Sequence, residues 1–163
     1  MSPVVHTLII GLLATAAMDV WGIARPLLGF PRTDYRLIGR WFAYMPRGRF
    51  RHDPIATSPP LPGEHAIGLL MHYAIGITFA FVLVGVAGEA WLRHPTLAPA
   101  LLVGIATVAA PLLLMQPGMG AGIAASRTRR PGLARVQALI THAVYGLGLY
   151  AAGLLMHRLA PLT

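Results

Sequence analysis

Three ionisable side chains sit inside long apolar stretches of this 163-residue chain: Asp19, His72 and His142, each in a different stretch. Gln116 stands in a fourth. An ionisable group in hydrocarbon is costly, so it is paired or it serves a function. For an aspartate near a helix centre the insertion cost is about 2.5–3.5 kcal/mol. Asp19 is six residues from Arg25, His72 eight from Glu64 and His142 seven from Arg135. At ~1.5 Å per helical residue these are depths of about 9, 12 and 10 Å, one shared layer. Gln116 is eleven residues from Arg127 and reaches that layer only if its helix runs unbroken.

The neighbours of the three residues are small or polar. Asp19 shares a stripe with Gly11, Thr15 and Gly22; His72 lies between Gly68 and Gly76; His142 precedes Gly146 and Tyr150 at helical spacing. Small residues mark helix–helix contact in membranes, so the spacing turns all three groups toward protein. Three chemistries fit. The groups can hydrogen-bond one another and lock helix packing, for about 0.6–2 kcal/mol per contact. They can form a relay for protons or ions, or a polar site for a small molecule. They can also hold a cofactor. His72 and His142 at equal depth on separate helices suit axial ligation of haem, and with Asp19 they suit a non-haem metal. No HxxH or ExxH spacing selects among these.

A second constellation is the run Arg47-Gly48-Arg49-Phe50-Arg51-His52-Asp53, with Arg127 in a later basic segment. Arg47, Arg49 and Arg51 share one side if the chain is extended, and guanidinium forks bind oxyanions bidentately. The run suits contact with headgroup phosphates. It also suits an enzyme acting on a phosphate-bearing lipid, with His52 and Asp53 available for acid–base work.

The elements that must position these groups are membrane helices. Hydrophobic residues make up 56% of the chain and charged residues 11%, with a mean hydropathy of +0.65. A soluble domain carries about a quarter charged. The absence of cysteine excludes thiol catalysis, Cys-ligated zinc, iron–sulfur clusters and a disulfide scaffold. A spanning helix needs about 20 apolar residues, and four windows provide them. The expected fold is an all-α integral membrane four-helix bundle in a single domain, 1–163, with spans at 4–28, 64–92, 97–118 and 133–157. The first span has no basic residue before it, so it reads as a retained helix rather than a signal peptide.

Thr33–Met45 has its own period: Leu37, Ile38, Trp41, Phe42 and Met45 fall on one helical face. This predicts a short amphipathic helix, 33–45, lying in the membrane interface. The Pro-rich stretch 46–63 follows as a basic cytoplasmic loop. Pro111 should break the third span, and the glycines after Gln116-Pro117 extend the irregularity. Trp21 and Trp41 fall at the inner interface and Trp91 at the outer one, as an aromatic belt requires.

All thirteen basic residues are arginine, and the net charge is +8. Eleven arginines lie in the segments after spans one and three, against Arg93 and Arg158 on the other side. The positive-inside rule puts both termini outside and the basic segments in the cytoplasm, as in a bacterial inner (plasma) membrane. Arginines beside apolar spans meet the lipid bilayer and its anionic headgroups rather than nucleic acid. Four helices leave little room for a solitary transport path, which favours a homodimer.

The segments Met18-Asp19-Val20-Trp21, Arg47-Gly48-Arg49-Phe50-Arg51-His52-Asp53, His72-Tyr73-Ala74-Ile75-Gly76, Gln116-Pro117 and Ala124-Ala125-Ser126-Arg127-Thr128 resemble a domain-of-unknown-function family of small bacterial polytopic membrane proteins, DUF2938. The resemblance covers almost the whole chain and implies a polytopic inner-membrane protein. It implies no activity, so no residue takes a catalytic role from it. From the residues themselves, the leading expectation is a membrane protein handling a small molecule or ion through the layer of Asp19, His72 and His142. A haem- or metal-binding protein and a lipid-phosphate enzyme stand beside it.

Overall fold

The computed structural model describes residues 1–161, and no strand occurs among them. Four helical stretches are long and apolar enough to cross a membrane: Pro3–Leu28, Glu64–Ala87, Leu97–Gly118 and Pro131–Leu159. Between 22% and 39% of each apolar window is buried, so most of these side chains face outward, including Val20, Ile23, Leu70, Val86 and Leu102. That much exposed apolar surface is stable in lipid and not in water. The chain is an all-α, multi-pass membrane protein.

Local chemistry sets the ends of the helices. α1 (Pro3–Ala24) opens on Ser2, whose hydroxyl accepts from the Val5 N–H. α2 (Tyr35–Tyr44) opens on Asp34, whose carboxylate accepts from Arg36 N–H at 3.0 Å. α3 (Glu64–Ala87) ends at Gly88, which takes a φ of 79° that a side chain would oppose, and whose N–H bonds Val84 O. The second span is therefore shorter than the expected 64–92, and α4 (Ala90–Arg93) is a separate turn. α5 (Leu97–Ala106) stops before Pro111, which lacks the N–H to continue the ladder. The next turn widens into a π-helix over Pro111–Met115, followed by the single turn α6 (Gln116–Gly118). α7 (Pro131–Leu159) is the longest helix.

The chain forms two compact units. The first comprises residues 1–32, 73–107 and 140 onward. Segments of all four spans meet in its core, where Ile10 and Ala14 of α1, Ala80 and Leu83 of α3, Ala100 of α5, and Tyr145 and Leu149 of α7 are sealed. The expected four-helix bundle lies here. α5 and α7 touch through backbone at Gly104 and Gly146: a Cβ on Gly104 would overlap Gly146, and one on Gly146 would sit 2.9 Å from Leu101 Cα. That contact tolerates no side chain at either position.

The second unit comprises residues 33–72 and 108–139. Trp41, Tyr44 and Ile55 form its centre, with Leu37, Phe42, Met45, Met115 and Met119 packed on them. The apolar face of α2, expected to lie on the bilayer, thus covers a protein core. The 46–63 stretch is folded rather than extended. It contains 3₁₀ turns at Met45–Arg47 and Ile55–Thr57, and its His52 and Ile55 N–H groups each donate at 2.9 Å, to Gly118 O and Met119 O. Trp41 and Trp91, expected in interfacial belts, are also buried. The reason is shared: each indole N–H meets a backbone carbonyl of a neighbouring loop or helix start, Phe50 O at 2.9 Å and Thr96 O at 3.0 Å.

Candidate functional site

Within the first unit, Asp19 and His142 are each held by a hydroxyl from another part of the bundle. Tyr73 Oη donates to Asp19 Oδ2 at 2.7 Å, tying α3 to α1. Thr107 Oγ1 lies 2.9 Å from His142 Nδ1 and 2.6 Å from Gly104 O. The one hydroxyl proton of Thr107 goes to the Gly104 carbonyl, so Thr107 accepts from Nδ1–H of His142. The Gly104–Gly146 approach produces this pairing. Thr107 lies three residues beyond one glycine and His142 four before the other, on strands of helix running in opposite directions. Trp21 Nε1 adds a bond to Thr141 Oγ1 at 3.2 Å. Asp19, Tyr73 and His142 are half-buried, whereas Thr15 and Tyr145, which also bond across or along helices, are 0% and 1% exposed.

The second unit is organised by a buried ion pair. Arg40 on α2 grips Glu64 at the start of α3 with two bonds, Nε to Oε2 at 2.8 Å and Nη2 to Oε1 at 2.9 Å. Its remaining nitrogen donates to Ser58 O at 2.9 Å, with longer contacts to Ala56 O and Ile55 O. Glu64 Oε2 also accepts from Leu61 N–H at 3.0 Å. One guanidinium therefore joins two helices and the loop between them. The carboxylate beside it holds the Arg40 guanidinium above its ordinary pKa, so it stays charged.

Ser58, fixed through its carbonyl, presents its hydroxyl to His52 Nδ1 at 2.7 Å. His52 is 5% exposed, and its Nε2 is buried without a partner. Burial, aided by the Arg49 charge, pushes the His52 pKa below its ordinary value, so the ring is neutral near pH 7. An open cleft of about 560 Å³ adjoins it, lined by Arg49, Arg51, His52, Asp53, Ser126 and Arg127, with Pro117, Gly122 and Ile123. Arg127 reaches Asp53 at 3.4 Å, an exposed pair of little energetic weight.

The four expected intramembrane residues lie on four different apolar stretches, Asp19 in Pro3–Leu28, His72 in Glu64–Ala87, Gln116 in Leu97–Gly118 and His142 in Pro131–Leu159. Asp19 and His142 belong to the first unit and His72 and Gln116 to the second. The His72 ring lies 4.9 Å from that of Tyr35, and Gln116 Oε1 is buried without a partner. Of the arginine run, Arg49, Arg51, His52, Asp53 and Arg127 meet at the cleft. Arg47 is not part of its lining and instead lies over the Tyr44 ring, 5.6 Å from the centroid. Among the described residues no three His, Asp or Glu side chains converge to hold a metal ion. Sequence reasoning missed Tyr73, Thr107, Arg40, Glu64 and Ser58. A signal existed for Glu64: a carboxylate opening an apolar helix needs a cation, and Arg40 supplies it.

A family model described as "Protein of unknown function (DUF2938)" matches residues 8–156. No curated protein and no solved structure matches the chain. The matched stretch takes in parts of all four spans, the buried ion pair and the basic cleft, and the chain belongs to the DUF2938 family.

Proposed function

We propose that this protein handles a small molecule or ion in the bacterial inner membrane, through the polar groups that Asp19 and His142 bring into its spans. The observation that carries this reading is their partial exposure. Groups that only tie helices together, Thr15 and Tyr145, are sealed, while Asp19, Tyr73 and His142 keep accessible surface inside apolar spans. Partial exposure of an aspartate inside an apolar span, where contact with hydrocarbon is costly, supports a site for water or a ligand there. In this reading the arginine distribution sets both termini outside, the basic segments meet anionic headgroups, and two copies build the path.

The test is ion flux. Purified protein in liposomes loaded with a pH-sensitive dye should conduct protons or a monovalent cation. Asp19→Asn should abolish flux with melting unchanged, and Tyr73→Phe should alter it. Flux equal in Asp19→Asn and the parent, or absent in both, refutes the reading.

One observation favours a second reading, haem binding. His142 is oriented through Nδ1 by Thr107, the arrangement in which Nε2 serves a metal. A Soret band in the purified protein, lost in both His142→Ala and His72→Ala, would establish it.

A further inference from the structure

Beside the basic cleft of the second unit lies a buried polar nitrogen without a hydrogen-bond partner, His52 Nε2. The Ser58 hydroxyl makes one bond among the described residues, to His52 Nδ1. When that hydroxyl gives its proton to Nδ1, the ring keeps its own proton on the other nitrogen. The neutral His52 ring then carries its own proton on Nε2, and that N–H is buried without a partner. A buried donor left unsatisfied is costly, and native structures accept that cost where a ligand completes it.

The surroundings say what that ligand is. Three arginines, Arg49, Arg51 and Arg127, face one carboxylate, Asp53, around the same cleft. Their forks and the His52 N–H are all donors, which no cation and no neutral acceptor would need. A carboxylate has two oxygens to offer to four donor groups, whereas a phosphate has more. The cleft, about 560 Å³ and open to its surroundings, admits a phosphate whether free or carried on a larger body. Asp53 holds Arg127 only at 3.4 Å and is exposed, so an incoming anion displaces it readily.

We propose that this cleft is a binding site for a phosphate-bearing ligand, with the His52 Nε2–H as its buried donor and Arg49, Arg51 and Arg127 as its charged clamp. This is independent of the intramembrane reading, since none of these residues lies in a span. Ser58 acts by setting the tautomer, and Arg40 acts by holding Ser58.

The experiment follows the backbone amide ¹H–¹⁵N resonances of Arg51 and Ser126, which line the cleft and are unchanged in every variant used, in the full-length protein in phosphatidylcholine nanodiscs. One arm titrates inorganic phosphate; the other replaces part of the lipid with phosphatidic acid. A saturable shift in the phosphate arm assigns a soluble ligand, a shift only in the lipid arm assigns a headgroup, and a shift in both assigns a site open to either. Arg127→Gln, an exposed change, should weaken the responding arm about tenfold, as loss of a charge-assisted bond predicts. His52→Ala should do the same, and His52→Gln, which keeps an N–H near the Nε2 position, should recover most of it. No saturable shift in either arm overturns the proposal, and so does a shift that Arg127→Gln and His52→Ala both leave unweakened.

Discussion

Replacing Arg40 by Leu should open the second unit without disturbing the first. The change removes two bonds to Glu64 and the 2.9 Å bond to Ser58 O, at a residue 8% exposed. Breaking a buried ion pair from one side costs about 3–5 kcal/mol, because the other charge stays buried. The orphaned Ser58 carbonyl adds about 1 kcal/mol. A total near 4–6 kcal/mol is a large share of the 5–15 kcal/mol typical of a domain. The reporters are the amides of His52 and Ile55, which donate to Gly118 and Met119 across the unit. Their hydrogen-exchange protection should fall about a thousandfold or more, read by mass spectrometry of the 50–58 peptide, while α1 and α7 keep theirs. Glu64→Gln should cost less, about 1–3 kcal/mol, because the amide oxygen still accepts and Ser58 still holds the guanidinium. The double variant Arg40→Leu/Glu64→Leu should be milder, by about 2–3 kcal/mol, than the summed costs of Arg40→Leu and Glu64→Leu measured singly. Protection within tenfold of the parent in Arg40→Leu, or strict additivity in the double variant, would refute the reasoning.

Trp41→Ala should destabilise the second unit by about 3–5 kcal/mol rather than merely detach a surface helix; a melt unchanged within error counts against its burial. His52 is held neutral, its pKa depressed below the ordinary 6.5. The stability this gives is complete above that value and drains away as pH falls through the folded-state pKa, because the unfolded chain then binds more protons. Protection of the 50–58 peptide, corrected for intrinsic exchange, should therefore drop from pH 7 to pH 5, and His52→Gln should flatten the profile. Reporter fusions at Ser58 and Thr128 should read cytoplasmic, and those at Thr96 and after the last span should read external; a cytoplasmic C-terminus excludes the proposed orientation.

The spans were legible because hydrocarbon imposes a single demand on sequence, about 20 apolar residues without charge, and four windows meet it. The end of α3 was legible only in part: Gly88 gives the stop, yet Ala90–Arg93 is apolar enough to read as its continuation. Polar partners were harder. Asp19 and His142 announce themselves by their cost, but Tyr73 and Thr107 are common in membrane helices, and only the pairing of α3 with α1 and the crossing of α5 and α7 reveal which hydroxyl faces which group. Arg40 was misleading for a different reason. On a helical wheel it lies off the apolar face of α2 and reads as solvated, but the loop folds back and covers it. The arginine run was legible as chemistry and not as geometry, since its meeting with Arg127 depends on a return of the chain.

The hydrogen bond from His52 N–H to Gly118 O also has a schedule. Its two ends are 66 residues apart in a chain that emerges in one direction. At about 5–20 residues per second of synthesis, the arginine run waits roughly 3–13 s for the segment that will pin it. During that interval α2 and its basic loop are a nascent amphipathic stretch beside a membrane, with an exposed indole, unspent carbonyls and five prolines just downstream or within it. The apolar face of α2 can rest on the bilayer then and move onto Ile55 and Met119 afterward. Interfacial lodging is in that case a stage in the protein's biogenesis, and truncation of the chain before Gly118 would arrest it there.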